Sequence, residues 1–100
     1  MKTKNKINIS NDFASIVPNY ISEKLNDAYK MENALKMGDF DTIKTLAHNL
    51  RGTGSSYGFP VLSDLGKVIE NAAKMKDSKT IQVTLQETFA YINSLEISYN

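Results

Sequence analysis

Apolar residues return along this chain every three or four positions with polar residues filling the gaps, a rhythm that predicts helices. Over 18–37 the stripe is Ile21, Leu25, Ala28, Tyr29 and Leu35. Pro18 stands in the first turn, where its missing N–H costs nothing, and Gly38 supplies the stop. Asp39 caps the next helix, which carries Ile43, Leu46, Ala47 and Leu50 on one face. The same spacing continues through Gly54 and Tyr57, so this helix is expected to reach about Tyr57 with Gly58 at its C-cap. Pro60 opens a third helix striped by Val61, Leu62, Leu65, Val68, Ile69 and Ala72, ending near Met75 or Lys76. Ser78 caps the last, where Ile81, Leu85, Phe89, Ile92 and Leu95 recur at spacings of four, four, three and three. Ahead of these, Ser10 or Asn11 caps a short helix through Val17, with Phe13, Ile16 and Val17 packing it down. No β-branched alternation runs long enough to predict a strand, and no internal repeat or low-complexity segment is read. The expected fold is all-α: an antiparallel four-helix bundle with a short additional N-terminal helix across one end.

One hundred residues suit a single domain, 1–100, with residues 1–9 as a flexible arm. At 41% hydrophobic and 23% charged, the composition is that of an ordinary globular chain. Twelve basic against eleven acidic residues leave +1, too little to draw the chain to nucleic acid or to an anionic membrane. Lys2, Lys4 and Lys6 make only the extreme N-terminus basic. There is no cysteine, and the single histidine lacks the partners and spacing of a zinc site, so no metal is expected. No leader-like segment is read, and no run approaches the roughly 18 apolar residues of a membrane span. A cytoplasmic monomer is the expectation.

Candidate chemistry concentrates in 47–60, which holds three of the five glycines and the only histidine. The glycines do not form a nucleotide loop. Gly52, Gly54 and Gly58 lack the spacing of the dinucleotide fingerprint, follow a helical rather than a strand pattern, and no GK[ST] occurs. With about 100° per residue, His48 falls opposite the stripe of Ile43, Leu46, Ala47 and Leu50 and faces outward. Lys44 and Thr45 lie one turn before it, Arg51 and Gly52 one turn after, and Ser55 two turns on. An imidazole offers a nucleophilic nitrogen near pH 7, Gly52 clears its approach, and Lys44 and Arg51 can balance incoming negative charge. These describe a site that accepts a phosphoryl group from another protein.

The run Ala47, His48, Leu50, Arg51, Gly52, with Gly58, Leu62 and Leu65 beyond it, resembles the histidine-containing phosphotransfer (HPt) domain, including the type found in chemotaxis histidine kinases. The match spans about 30 residues from Ile43 to Ala72. Arg51 stands where lysine is commoner; it keeps the charge in a fork that can meet phosphate bidentately. The resemblance implies a four-helix bundle phosphorylated at Nε2 of His48, acting as a carrier with no kinase activity of its own. It implies receiver domains of response regulators as partners, and a sensor histidine kinase as another. It requires no cofactor in this chain, Mg²⁺ being supplied by the receiver. By the family's spacing, Glu70 on the following helix accepts a hydrogen bond from the histidine's other nitrogen, with Gly66 one turn before it allowing the helices to approach. Thr45, Ser55 and Ser56 either hydrogen-bond phosphate oxygens or border the site, Gly52 clears the partner's approach, and Lys67 adds positive potential.

Two other readings share this sequence. One is a helical docking module that carries no phosphate, which would tolerate glutamine at 48. The other is the detached phosphotransfer domain of a larger kinase, with the same site chemistry and an ATP-dependent donor.

Overall fold

The structure, a computed structural model, describes residues 5–100. Lys2 and Lys4 lie outside the described residues. Four α-helices dominate: α1 (Val17–Lys36), α2 (Phe40–Thr53), α3 (Pro60–Lys74) and α4 (Ser78–Asn93). α1 packs against α2 and α4, and α3 packs against the same two.

Three expectations at the chain ends need correction. Asn5–Ile9, expected within a flexible arm, forms strand β1. Leu95–Tyr99, expected in part as helix, forms β2, and the two pair in parallel. Their inner positions Ile7, Ile9, Leu95, Ile97 and Tyr99 pack on the helices, while Lys6, Asn8, Glu96 and Ser98 face out. That is the period-2 alternation of a half-buried strand, in runs of five that stabilise only when paired. The short opening helix is a single 3₁₀ turn, Asn11–Phe13, capped by Ser10; Val17 is fully buried within α1, while Phe13 and Ile16 are partly exposed.

The stripe of α1 is also rotated from its expected face. Val17, Tyr20, Lys24, Ala28, Met31 and Ala34 are buried, and Tyr29 is half exposed. A lysine and a tyrosine on the inner face hid this from a hydrophobic count. Val61 and Val68 of α3 likewise point outward. α2 stops at Thr53 and tightens into a 3₁₀ turn, Ser55–Tyr57. Gly58 then closes it with φ +96°, where a Cβ would in addition run into the Ile9 side chain.

The structure also reveals an internal repeat. Residues 32–43 and 70–81 share Glu, Asn, Ala, Lys, Met, Asp, Thr and Ile at eight matched positions, 38 residues apart. The two turns are built alike. Gly38 (φ 68°) and Lys76 (φ 54°) are both left-handed, and Asp39 and Asp77 reach back to Ala34 and Ala72 carbonyls at 2.9 and 2.8 Å. Each aspartate then caps its helix by accepting the N–H of Thr42 or Thr80 at 3.1 Å, and the threonine hydroxyl as well. α1–α2 and α3–α4 are therefore two copies of one helical hairpin. Its matched pairs Met31 and Ile69, Ala34 and Ala72, Ile43 and Ile81, Ala47 and Leu85 meet in one core cluster. A second cluster, of Ile9, Tyr20, Leu50, Phe59, Leu62, Tyr91 and neighbours, carries the two strands.

Candidate functional site

The rotation of α2 decides what its outer face presents. Ile43, Ala47 and Leu50 are buried, so His48 stands outside with 72% of its side chain exposed. α1 fixes that rotation from the other flank. Buried Lys24 pairs with Asp27 at 3.0 Å and donates to Asn49 Oδ1 at 2.7 Å. Thr53 Oγ1 spends its hydrogen on the Asn49 carbonyl at 2.9 Å, so the Tyr20 hydroxyl must donate to it at 2.7 Å. Tyr20 also stacks on Tyr57 with ring centroids 4.0 Å apart. Burial pushes the Tyr20 hydroxyl above its ordinary pKa despite the hydrogen bond with Thr53.

α3 reaches the site because Gly66 has no side chain. A Cβ there would lie 2.5 Å from Arg51 N and 2.8 Å from the Ala47 carbonyl oxygen. Backbone thus rests almost on backbone. One turn further along α3, Glu70 meets His48, its Oε2 2.8 Å from Nδ1. Arg51 Nη1 donates to the other oxygen, Oε1, at 3.0 Å, and Lys74 Nζ stands 4.0 Å from Oε2. Glu70 itself is only 6% exposed. Burial alone would raise its pKa. The hydrogen bonds from Arg51 and His48, with the charges of His48 and Lys74, outweigh burial and hold it below the ordinary 4.5.

An ionised carboxylate only accepts, so the proton of this contact belongs to Nδ1 of His48. The lone pair is left on Nε2, on the exposed side of the ring. When that nitrogen forms a bond to an electrophile the ring gains positive charge, and Glu70 faces that charge across the Nδ1–H bond. A fixed carboxylate of this kind is a preorganised electrostatic partner for a nucleophilic imidazole.

Of the residues singled out by sequence, His48, Arg51 and Glu70 are brought together. Arg51 differs from the expectation in one respect: an N–H of its fork is engaged by Glu70 rather than held ready for a ligand. Gly52 has nothing within 4 Å of where a Cβ would stand, so the way past it to His48 is open. Lys44 and Lys67 are exposed and make no ion pair among the described residues. Thr45 is exposed, and its hydroxyl donates to the Asp41 carbonyl within its own helix at 3.1 Å. Ser55 and Ser56 sit in the 3₁₀ turn beyond α2, exposed, and the Ser55 N–H donates to Ser63 Oγ at 2.7 Å. Lys74 was missed by sequence reasoning, though its place four residues after Glu70 is a readable ion-pair spacing.

Among the described residues no group of three or more His, Cys, Asp or Glu could hold a metal ion, and no helix is long and apolar enough to cross a membrane. A family model described as "Hpt domain" matches residues 16–96. Comparison with curated proteins and with solved structures gives no match.

Proposed function

The chain belongs to the Hpt domain family, whose members pass phosphoryl groups through a histidine in phosphorelays, and from that premise we propose that His48 is the phosphoryl acceptor of this protein. The observation that carries the reading is the pairing of an exposed His48 ring with buried Glu70 at 2.8 Å, which leaves Nε2 free. In the proposed step the Nε2 lone pair attacks the phosphorus of an aspartyl phosphate on a receiver domain of a response regulator. An N–P bond forms, the P–O bond to the aspartate breaks, and the carboxylate leaves with the electron pair. The reverse step delivers the group to a second receiver.

In this reading the chain is a carrier without kinase activity. Arg51 keeps Glu70 oriented and has further N–H groups toward the phosphoryl oxygens. Lys44 and Lys67 add positive potential where negative charge arrives. Gly52 leaves room for the receiver, and Thr45, Ser55 and Ser56 border its approach. Mg²⁺ is supplied by the receiver's own acidic site. The helices are taken as an antiparallel bundle, supported by contacts in which one residue number rises as the other falls: Tyr20 with Thr53 and Lys24 with Asn49, Gly54 with Ser63 and His48 with Glu70. A sensor kinase is a further donor in this reading, and the protein works as a cytoplasmic monomer without nucleic acid or membrane.

The test is incubation with receiver domains charged by acetyl phosphate, followed by assay for an acid-labile, base-stable label. The expected result is label on His48 of the wild-type chain and none on His48→Gln, with both proteins equally folded. A wild-type chain that stays unlabelled beside receivers that do charge a known carrier overturns transfer from receivers to His48 and leaves a kinase-specific donor or docking without transfer.

A further inference from the structure

The hairpin repeat relates more than the two turns. Shifting by 38 residues carries α2 onto α4 and α1 onto α3, so the α2–α3 face that holds His48 has a counterpart between α4 and α1. His48 corresponds to Gln86, Glu70 to Glu32, Lys74 to Lys36 and Lys44 to Gln82. Those four counterparts, with Leu35 and Leu85, line one groove between α1 and α4. Burial repeats along α2 and α4, while Glu32 is half-buried where Glu70 is buried. Gln86 is exposed where His48 is exposed, and buried Leu85 precedes it where buried Ala47 precedes His48.

The two faces differ in how closely their helices approach. Gly66 at the α2–α3 crossing corresponds to Ala28, Ala47 to Leu85, and Arg51 to Phe89, which packs its ring against Tyr29 at 4.7 Å. Larger side chains at each of these points keep α1 and α4 further apart, which opens the groove. Small residues persist where a partner would need clearance: Gly52 corresponds to Ala90.

We infer that the α1–α4 face is a second copy of the acceptor scaffold, silenced at its one reactive position because residue 86 is glutamine. A carboxamide nitrogen has its lone pair delocalised into the carbonyl and forms no phosphoramidate link, so phosphoryl traffic is confined to the α2–α3 face. Gln86 is then the residue that limits the protein to one acceptor. Replacing it with histidine restores the nucleophile, with Glu32 in the place of Glu70 to hold the Nδ1 proton and Lys36 in that of Lys74. With a small phosphoramidate as donor, Nε2 of the new imidazole attacks phosphorus, the N–P bond of the donor breaks, and ammonia leaves. The inference rests on the reading of His48 as acceptor.

The experiment compares His48→Gln/Gln86→His with the wild type, with His48→Gln/Lys79→His as a control histidine elsewhere on exposed α4, and with a third variant adding Glu32→Ala to the first. Labelling by phosphoramidate is followed by mass spectrometry, and the ring tautomer by imidazole ¹⁵N shifts. Free imidazole side chains favour the proton on Nε2, so a shift toward Nδ1–H reports a carboxylate partner. The expected result is an Nδ1–H-enriched ring at position 86 that labels faster than the control, and a loss of both properties with Glu32→Ala. Labelling should trail His48 by about two orders of magnitude, as for removal of one donor from a developing charge, since Phe89 stands where Arg51 does. A position-86 ring indistinguishable from the control in tautomer and rate overturns the inference. If His48 of the wild type also behaves like the control, the reading of the first site fails as well, so the two failures are distinct. Circular dichroism checks that each variant is folded.

Discussion

Gly66 and Gly52 lie on facing helices, and alanine should have opposite effects at the two. At Gly66 a Cβ would stand 2.5 Å from Arg51 N and 2.8 Å from the Ala47 carbonyl oxygen, against the 3.4 Å at which ordinary contact begins. Neither atom can rotate away, because both belong to the backbone of α2. α3 must therefore retreat by about 0.9 Å. Carried one turn along α3, that retreat stretches the 2.8 Å bond between His48 and Glu70 to beyond 3.5 Å, out of hydrogen-bond range. Overpacking of this kind costs roughly 1–3 kcal/mol, and loosened bonds to a charged group add about 1.5 kcal/mol, against a helix-propensity gain of about 1 kcal/mol. The net is about 2 kcal/mol of destabilisation, or roughly 10 °C in Tm for a domain of this size. At Gly52 nothing lies within 4 Å, so only the propensity gain remains, about 1 kcal/mol and roughly 5 °C upward. Calorimetry gives both Tm values, and imidazole ¹⁵N shifts report whether Nδ1 keeps its proton. Gly66→Ala melting at or above the wild type, with the Nδ1–H tautomer retained, would refute the close-approach argument.

Two further perturbations test the electrostatics and the core. Glu70 titrates lower in the folded chain than in the unfolded one, so the stability it contributes is present above the ordinary 4.5 and is lost as pH falls through the folded value. Acid unfolding followed by circular dichroism should therefore show a shallower loss below that pH for Glu70→Gln than for the wild type, while the amide oxygen still accepts from Nδ1–H; an unchanged acid limb would show that Glu70 is not the group responsible. Tyr91 carries a buried hydroxyl with no partner among the described residues, and desolvation raises its pKa. Tyr91→Phe removes that unmet group and should raise stability by about 1 kcal/mol, roughly 5 °C, with His48 labelling unchanged. A fall in Tm would mean that the hydroxyl is satisfied in solution.

The His48 face was legible in sequence because α2 follows simple helical geometry and because its motif resembles the HPt domain. Once Ile43, Ala47 and Leu50 face inward, His48 faces outward, whereas Glu70, with Gly66 one turn before it, was reached through the family's spacing. The α1 face was misread for the converse reason. Its inner residues include Lys24 and Tyr20, whose burial depends on Asp27, Asn49 and Thr53, and two of these partners belong to a different helix. The strands were hidden more deeply. Each has five residues of clean alternation, but neither is stable without the other, and Asn5 pairs with Leu95 across almost the whole chain.

The repeat escaped notice for a different physical reason, and it accounts for how the site is supported. Identity survives only in and around the turn, where an aspartate cap and a threonine have few substitutes, although the left-handed residue itself changes from Gly38 to Lys76. Along the helices the core asks only for apolar volume, so Met31 has become Ile69 and Ala47 has become Leu85 without loss of pattern. Those paired residues form the cluster in which Ala47, Ile69 and Ala73 sit beside His48, Glu70 and Lys74 in sequence. In the second cluster, which holds Ile9, Phe59 and Tyr91, no two of the buried residues are matched in this way: the positions matching Tyr20 and Leu62 are Gly58 and Lys24. Stability can thus be varied in the strand-bearing half while the contact between His48 and Glu70 is held by the duplicated half. Substitutions such as Tyr91→Phe should therefore change Tm without changing the tautomer of His48, whereas Gly66→Ala must change both.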